Sequence, residues 1–255
     1  MSVLTLSRSV YTNVTIQVSI SSRVQVEMIL ERVSSVQCAE CYYSCNAFSS
    51  VAGDAYSLLR ERVPWAQGSV RVRGKVWAER RLTCLFSDSP GTTYHYSGKE
   101  MVGQEWDRVV WGIREDLYRM CRREYPGWKD SWKFDTCLCN YYRPREEVEV
   151  EGEKWKPDVI GLHADSEQDL IMDRPIASVS FGVVRRFDLV PNPETKGKYT
   201  MAPVQHDVVQ TYLASGSVFV MGRGCQRYYK HQVPAEKKVE GGRINLTFRM
   251  TKGAV

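Results

Sequence analysis

The spacing of apolar residues predicts helices in the first half of the chain and strands in the second. Apolar residues recur at helical spacing over about 48–63, where Pro64 ends the run, and again over 106–121, before Pro126-Gly127. Between these helices, glycine and proline turns separate β-branched and aromatic stretches over 65–98. The intervening segment is therefore predicted to form hairpins.

After Trp132 the pattern becomes a succession of short strands separated by glycine and proline turns. Many short strands at such spacing indicate a sandwich or a jelly roll, and helices that precede them indicate a helical layer on one side. The predicted fold class is α+β, mostly β with a helical buttress and a jelly-roll core. The strands are expected at roughly 133–141, 158–165, 175–183, 206–213, 217–221, 227–233 and 242–250.

The composition is that of an ordinary globular protein, with 255 residues of which 43% are hydrophobic and 25% charged. We expect one catalytic domain, preceded by an extension over residues 1–35 whose order the pattern does not specify. The net charge of +5 is compatible with a polyanionic partner but is common in proteins without one. No apolar run has the length of a membrane span or of a secretory signal. We therefore expect an intracellular protein, nuclear or cytoplasmic, that is a monomer.

An intracellular location makes the eight cysteines free thiols rather than disulfides. Cys38, Cys41 and Cys45 are close enough together in sequence to suggest zinc. No second pair of cysteines or histidines follows at the spacing of a zinc finger. These three residues are therefore interpreted as buried thiols.

Three residues have the spacing of a metal site. His163 and Asp165 are two apart in a predicted strand, so their side chains leave the same face. His231 lies in a later strand that a jelly roll can bring alongside. Two imidazoles and one carboxylate on one face are the arrangement of non-haem Fe(II) oxygenases. By itself the pattern is weak, because either histidine could be a structural residue.

The segment RINLTFR near the C-terminus has a polar face and an apolar face. Its two arginines could each grip a carboxylate through paired hydrogen bonds, which suits a small dicarboxylate such as 2-oxoglutarate beside an iron. The alternative is an edge strand with one solvated face. Upstream, Asn140 and Tyr142 are also two apart and could donate into the same pocket. The polar face consists of Arg243, Asn245, Thr247 and Arg249.

Five segments carry a family resemblance. They are NxY at 140–142, HADSE at 163–167, PIASVSFG at 175–182, YKHQVP at 229–234 and RINLTFR at 243–249. In this order they resemble the AlkB family of nucleic-acid dealkylating dioxygenases, over about residues 70–250, and most of all its duplex-preferring mammalian type.

The resemblance implies a double-stranded β-helix with a helical buttress and a nucleotide-recognition lid. The dioxygenase domain would span 36–255, with the lid at 65–100 and the jelly-roll core at 132–250. The implied cofactor is Fe(II), and the implied cosubstrates are 2-oxoglutarate and O2.

The resemblance also assigns roles to residues. It implies that His163, Asp165 and His231 hold the iron and act as the catalytic centre. The cosubstrate would be bound at its distal carboxylate by Arg243, Asn245 and Tyr142, and near its iron-chelating end by Arg249 and Asn140.

The implied reaction is oxidative demethylation of 1-methyladenine or 3-methylcytosine in DNA, RNA or both. It converts 2-oxoglutarate to succinate and CO2 and releases the methyl group as formaldehyde. Two alternatives stay open. The first is a dioxygenase that acts on tRNA modifications or protein side chains, and the second is a nucleic-acid-binding module without catalysis.

For the substrate base, the resemblance implies a slot with His163 as one wall and Tyr96 as the other. Tyr94, in the same stretch, is a further candidate contact, and ordinary strand packing is the alternative for both tyrosines. Glu167 resembles the carboxylate that accepts a hydrogen bond from the exocyclic amine of the base. Arg73 occupies the position of the family's aromatic wedge, and an arginine can stack on a base or pair with phosphate but cannot fill a gap as an apolar side chain does. Single-stranded DNA or RNA is therefore as open as a duplex.

Three basic segments and one acidic segment bear on nucleic-acid binding. The basic segments 71–75, 80–81 and 237–238 are candidate phosphate contacts that could equally be solvated surface. The acidic segment 146–153 would repel phosphate unless it points away from the nucleic acid.

Overall fold

The computed structural model describes residues 29–33, 36, 38–72, 74–96, 99–148, 151–195 and 208–254. Its helices are α1 (Ala52–Arg62), α2 (Arg108–Glu124), α3 (Arg145–Val148) and α4 (Cys225–Tyr228). Its strands are β1 (Glu31–Arg32), β2 (Cys41–Ser44), β3 (Ala66–Val72), β4 (Lys75–Ser87), β5 (Thr93–Tyr96), β6 (Lys99–Val102), β7 (Thr136–Tyr142), β8 (Ile160–His163), β9 (Ile176–Gly182), β10 (Arg185–Pro191), β11 (Val209–Leu213), β12 (Val218–Met221), β13 (Tyr229–Val233) and β14 (Arg243–Arg249).

The strands form the two antiparallel sheets of a jelly roll. The larger sheet has the order β1-β2-β12-β9-β14-β7-β4-β3, and the smaller has the order β11-β10-β13-β8. A separate hairpin, β5–β6, lies beyond them. The predicted fold class, mostly β with a jelly-roll core, is confirmed.

The two predicted helices pack on one side of the larger sheet. In α2 the residues Val110, Ile113 and Leu117 recur on one face and are buried, as the 3.6-residue period requires. The side chain of Asp107 caps this helix by accepting a hydrogen bond from the backbone N–H of Val109. Both helices share a core with the apolar face of β14, which confirms the expected helical buttress.

A second core fills the space between the two sheets, with Leu138, Leu189 and Phe219 among its members. β14 is hydrogen-bonded to β7 on one edge and to β9 on the other, and every one of its residues is buried, so both of its faces are covered. The alternative of an edge strand with a solvated face is therefore wrong. The polar face of β14 instead points into the interior of the jelly roll.

Among the described residues, the strands β1, β2 and β10 escaped prediction. In β10, Arg185 and Asp188 interrupt the apolar alternation, yet both are buried because the protein supplies their partners. The guanidinium of Arg185 donates to the carbonyls of Asp158 and Pro234 and pairs with Glu236. β1 and β2 are too short for a periodic pattern of apolar residues to reveal them.

The prediction of buried thiols is confirmed for Cys41. It is wrong for Cys38, which is only partly buried, and for Cys45, which is exposed in the turn that follows β2. All eight cysteines are free. No helix in the described ranges is long and apolar enough to cross a membrane. Most of the predicted N-terminal extension, residues 1–35, lies outside the described residues.

Candidate active site

Two histidines and an aspartate meet where β8 and β13 run side by side. His163 ends β8, Asp165 follows it by two residues, and His231 lies opposite His163 in the strand register. Nε2 of His163 is 3.7 Å from Oδ1 of Asp165, and Nε2 of His231 is 3.9 Å from Oδ2 of that carboxylate. Their ligand atoms lie within 4.8 Å of one another, in the one such group of His, Cys, Asp or Glu among the described residues. This geometry suits a non-haem Fe(II) centre.

Electrostatics set the protonation states that a metal requires. Burial lowers the pKa of His163, and it lowers the pKa of His231 to about 3 with a further contribution from His163. Burial would raise the pKa of Asp165, but Arg249 and the two histidines bring that pKa down to about 2. Two neutral imidazoles and an ionised carboxylate are the forms that coordinate a divalent cation.

A backbone contact also orients His163. Its Nδ1 atom lies 2.8 Å from the carbonyl oxygen of Gly161. A proton on Nδ1 donates to that carbonyl, and the lone pair then remains on Nε2, the atom that faces Asp165.

The same cavity contains a buried cation with unused donors. Arg243 is 1% exposed, and its Nη2 atom donates to Oγ of Ser180 at 2.9 Å. Within the described part of the chain, its Nε and Nη1 atoms have no hydrogen-bond partner. Burial lowers the pKa of Arg243 to about 10, which leaves it charged at neutral pH. A buried charge with free donors fits an anion, here a carboxylate of 2-oxoglutarate.

The other predicted cosubstrate residues also line this cavity, but they differ in how many of their hydrogen-bonding groups are already used within the protein. The amide of Asn245 donates to Oγ of Ser178 at 2.6 Å and to the carbonyl of Val179, and it accepts from Thr247. The amide of Asn245 is therefore held in place by the protein, and its predicted contact with the distal carboxylate stays a prediction. The ring of Tyr142 lies 5.2 Å from Cζ of Arg243, beside the free donors.

At the far end of β14, Arg249 lies beside the metal ligands. Its Nη2 atom donates to Oδ1 of Asp165 at 2.8 Å, with both side chains buried. This position agrees with the expected role of Arg249 near the iron-chelating end of the cosubstrate.

Arg81 was missed as part of the site, and its interpretation as a phosphate contact is wrong. It is buried, pairs with Glu79 at 2.8 Å, and donates from Nε to Oδ1 of Asn140 at 2.8 Å. Glu79 also pairs with Lys99 of β6. The sequence does contain a signal of this network, because Glu79 and Arg81 are two apart in a predicted hairpin and their side chains therefore leave the same face. Its neighbour Arg80 donates to the carbonyl of Pro157.

The predicted substrate contacts have mixed outcomes. Glu167 lies close enough to Arg249 and Asp165 for their charges to act on it, and burial raises its pKa to about 7. Its Oε2 atom is buried with no hydrogen-bond partner in the described ranges. Arg73 and the side chain of Tyr96 lie outside what the structure describes.

Tyr94 does not line the cavity of the metal site. It is 5% exposed, belongs to the core between the sheets, and lines a second cavity with Leu85 and Thr136. The reason is an anchor that the sequence did not reveal. Asp169 accepts a hydrogen bond from the backbone N–H of His95 at 2.9 Å and contacts its Nδ1 at 3.1 Å, which fixes how β5 faces the jelly roll.

In the acidic segment 146–153, Glu147 is bound on the side of the sheet that carries the helices. Glu147 accepts a hydrogen bond from the hydroxyl of Tyr141 at 2.8 Å and pairs with Arg60 of α1. Tyr141 belongs to the core beneath the helices, whereas its neighbour Tyr142 lines the metal cavity. Glu147 therefore points away from the metal site.

Comparisons with known proteins agree with this geometry. Residues 49–249 match the model of the 2OG-Fe(II) oxygenase superfamily. The mouse protein named DNA oxidative demethylase ALKBH2 is 31% identical over 212 residues, which cover 82% of this chain and 79% of that protein. The human protein of the same name is 30% identical over 213 residues, covering 82% of this chain and 72% of its own length.

A second group of relatives is similar at the same level. The mouse alpha-ketoglutarate-dependent dioxygenase alkB homolog 3 is 30% identical over 194 residues, covering 75% of this chain and 58% of that protein. Among solved structures, that of OsALKBH1 aligns with a TM-score of 0.47 and 14% identity, over 82% of this chain and 97% of the other.

Proposed function

This chain belongs to the 2OG-Fe(II) oxygenase superfamily and, within it, to the AlkB family, and on that premise we propose that it removes methyl groups from alkylated bases of nucleic acid. As a member of that family it is an Fe(II)- and 2-oxoglutarate-dependent dioxygenase. The observation that carries the proposal is one cavity that combines the His163, Asp165 and His231 group with the buried, unsatisfied guanidinium of Arg243. A binding module without catalysis would have no use for that combination.

His163, Asp165 and His231 would hold the iron, and Arg243 would hold a carboxylate of 2-oxoglutarate. When both are bound they supply the O2-dependent oxidation that inserts oxygen into an N-methyl C–H bond, with 2-oxoglutarate converted to succinate and CO2 and the methyl group lost as formaldehyde. The residues of the chain contribute binding and orientation. Ser180 fixes the guanidinium of Arg243 through Nη2 and leaves Nε and Nη1 free for the carboxylate.

The interior of the jelly roll also excludes water from the reaction. Tyr142, Phe187 and Val233 line the cavity together with the polar groups, and each is at least nine-tenths buried. In such a low-dielectric space, the attraction between Arg243 and an anion is stronger than at the surface.

Glu167 supports a base that carries an exocyclic amine. Its buried, unpartnered Oε2 atom lies on the segment between the metal ligand Asp165 and the anchor Asp169. An amine of 1-methyladenine or 3-methylcytosine would supply the missing donor. Glu167 is therefore the residue that directs the proposal to a base rather than to any N-methyl group. We further propose that the enzyme is a monomer, since a single chain supplies every residue of the site.

Coupled turnover tests the proposal. The full chain is incubated with Fe(II), 2-oxoglutarate, O2 and an oligonucleotide that is either methylated or unmethylated. Succinate and formaldehyde are expected in equal amounts with the methylated strand, and neither above background with His163→Ala. A methylated peptide that stimulated succinate formation, with a methylated oligonucleotide that did not, would show the substrate class to be wrong.

A further inference from the structure

One exposed tryptophan, in β4, has no part in the proposed function. Trp77 and its neighbour Val76 lie in the first half of β4 and are 57% and 61% exposed. Tryptophan is usually largely buried, since its indole contributes more apolar area than any other side chain. A solvent-facing indole offers a flat apolar face on which another ring can stack.

The strand that carries Trp77 leads directly to the cavity. Arg81, four residues further along β4, donates to Asn140 in the cavity lining. Opposite β3 the strand bulges: β4 advances from Ala78 to Leu82 while β3 advances only from Ser69 to Gln67, so two extra residues are inserted. Because two is an even number, the alternation of faces survives the bulge. The side chains of Trp77 and Arg81 therefore leave the same face of β4. Their Cα atoms are at most about 13 Å apart along the strand.

Charge along this face favours a polyanion. Lys75, two residues before Trp77, is exposed on the same face. Glu79, which lies between Trp77 and Arg81, is buried and neutralised by Arg81 and Lys99. The face therefore presents a cation and an aromatic ring to solvent, and its one carboxylate is compensated inside the protein. Cation and aromatic in alternation are what single-stranded nucleic acid binds.

We propose that Trp77 stacks on an unpaired base that flanks the base under repair, and that the substrate of this enzyme is single-stranded nucleic acid. The inference rests on the proposed function, because it takes the cavity as the destination of the modified base. The flat face of a base is available to an indole only where the strand is unpaired, since in a duplex the neighbouring base pairs cover it. Lys75 contacts the phosphate beside the stacked base.

Binding measurements test this inference without using catalysis. The dissociation constants of end-labelled, unmethylated oligonucleotides are measured by fluorescence anisotropy for single-stranded DNA, single-stranded RNA and duplex DNA. Trp77→Ala is expected to weaken single-strand binding about tenfold, with a change of less than about twofold for the duplex. Trp77→Phe keeps a stacking ring and is expected to retain most of the affinity. Tyr212→Ala is the matched control, because Tyr212 is also 57% exposed but lies on β11.

Three results would overturn the inference. They are single-strand binding by Trp77→Ala equal to that of the unchanged protein, an equal loss for duplex and single strands, and a loss in Trp77→Phe as large as in Trp77→Ala. A sedimentation experiment on the same proteins adds a fourth: if Trp77→Ala dissociates a dimer and leaves oligonucleotide binding unchanged, the indole is covered by a second copy of the chain.

Failure of the stacking role of Trp77 and failure of the proposed demethylation give different results. If the unchanged protein binds single strands through Trp77 but never demethylates them, the proposed function fails and the stacking role stands. If it demethylates a single strand and Trp77→Ala does so with an unchanged KM, the stacking role fails and the proposed function stands.

Discussion

Arg249 donates a hydrogen bond from Nη2 to Oδ1 of Asp165 over 2.8 Å, and both side chains are buried in the interior of the jelly roll. This hydrogen bond connects the last residue of β14 to Asp165, the metal ligand that follows β8. It holds the carboxylate of Asp165 ionised before any metal arrives, because the guanidinium lowers the pKa of that carboxyl.

This pair predicts strong energetic coupling in the metal-free protein. Removing one member leaves a buried charge that has lost its counter-ion, so Asp165→Ala is expected to lower the free energy of unfolding by about 3 kcal/mol. The double variant Asp165→Ala/Arg249→Met is expected to cost at least about 1 kcal/mol less than the sum of the single variants. Urea denaturation in the presence of a chelator measures all four proteins. Additive costs would show that the two side chains do not interact.

Replacement by methionine is expected to cost much more stability at the buried cation Arg185 than at the buried cation Arg243. Arg185 is fully used by Asp158, Pro234 and Glu236, so Arg185→Met should lower the free energy of unfolding by about 3 kcal/mol. Arg243 has unsatisfied donors, so Arg243→Met should cost the cosubstrate-free protein less than about 1 kcal/mol.

The same two variants should also differ in their response to 2-oxoglutarate. With Mn²⁺ in place of iron, a cosubstrate concentration of a hundred times Kd stabilises the unchanged protein by about 2.7 kcal/mol. Thermal melts should show this gain retained in Arg185→Met and absent in Arg243→Met. A full gain in Arg243→Met would mean that the cosubstrate carboxylate binds elsewhere.

Metal affinity should depend on His163 and His231 and not on His95. Replacing either ligand by alanine is expected to weaken binding of Co²⁺ by more than the roughly 10- to 100-fold loss typical of outer groups. His95 contacts Asp169 outside the metal group, so His95→Ala serves as the matched control and should bind Co²⁺ normally. The measurement is a titration followed by visible absorption. Equal affinities in all the variants would place the metal at another site.

Glu167→Ala should separate substrate recognition from cosubstrate turnover. Loss of an acceptor for the exocyclic amine is expected to raise KM for a methylated oligonucleotide by about tenfold or more, which corresponds to a hydrogen bond with a charged group. KM for 2-oxoglutarate should not change. The neighbouring Gln168 is exposed, and Gln168→Ala is the control. An unchanged KM for the oligonucleotide in Glu167→Ala would remove this residue from the site.

The fold was predictable wherever local periodicity decides structure. α2 follows from one apolar stripe, and β14 follows from strict alternation of polar and apolar residues. β10 was not predictable, because Arg185 and Asp188 look like surface residues until their distant partners are known. Burial of a charge depends on contacts between segments far apart in sequence, and a local pattern contains no record of them.

The site was predictable where residues have fixed spacing, as in His163 and Asp165, or alternate along one strand, as in Arg243 and Arg249. The role of Arg81 and the anchor between His95 and Asp169 were not, since each joins separate elements. Tyr94 shows the remaining difficulty. The prediction of hairpins over 65–98 is confirmed for the strand that carries Tyr94, but alternation does not say which face of a hairpin turns toward the cavity.

The central claim, that this enzyme demethylates alkylated bases, is tested most directly by following the modified base itself. A single-stranded oligonucleotide with one 1-methyladenine or one 3-methylcytosine is incubated with the full chain, Fe(II), 2-oxoglutarate and O2, then digested and analysed by mass spectrometry. The account predicts that unmodified adenine or cytosine appears as the methylated base disappears, and that His231→Ala leaves the methylated base intact. If both methylated bases persisted in single strands and in duplexes while 2-oxoglutarate was consumed, the claim would be contradicted.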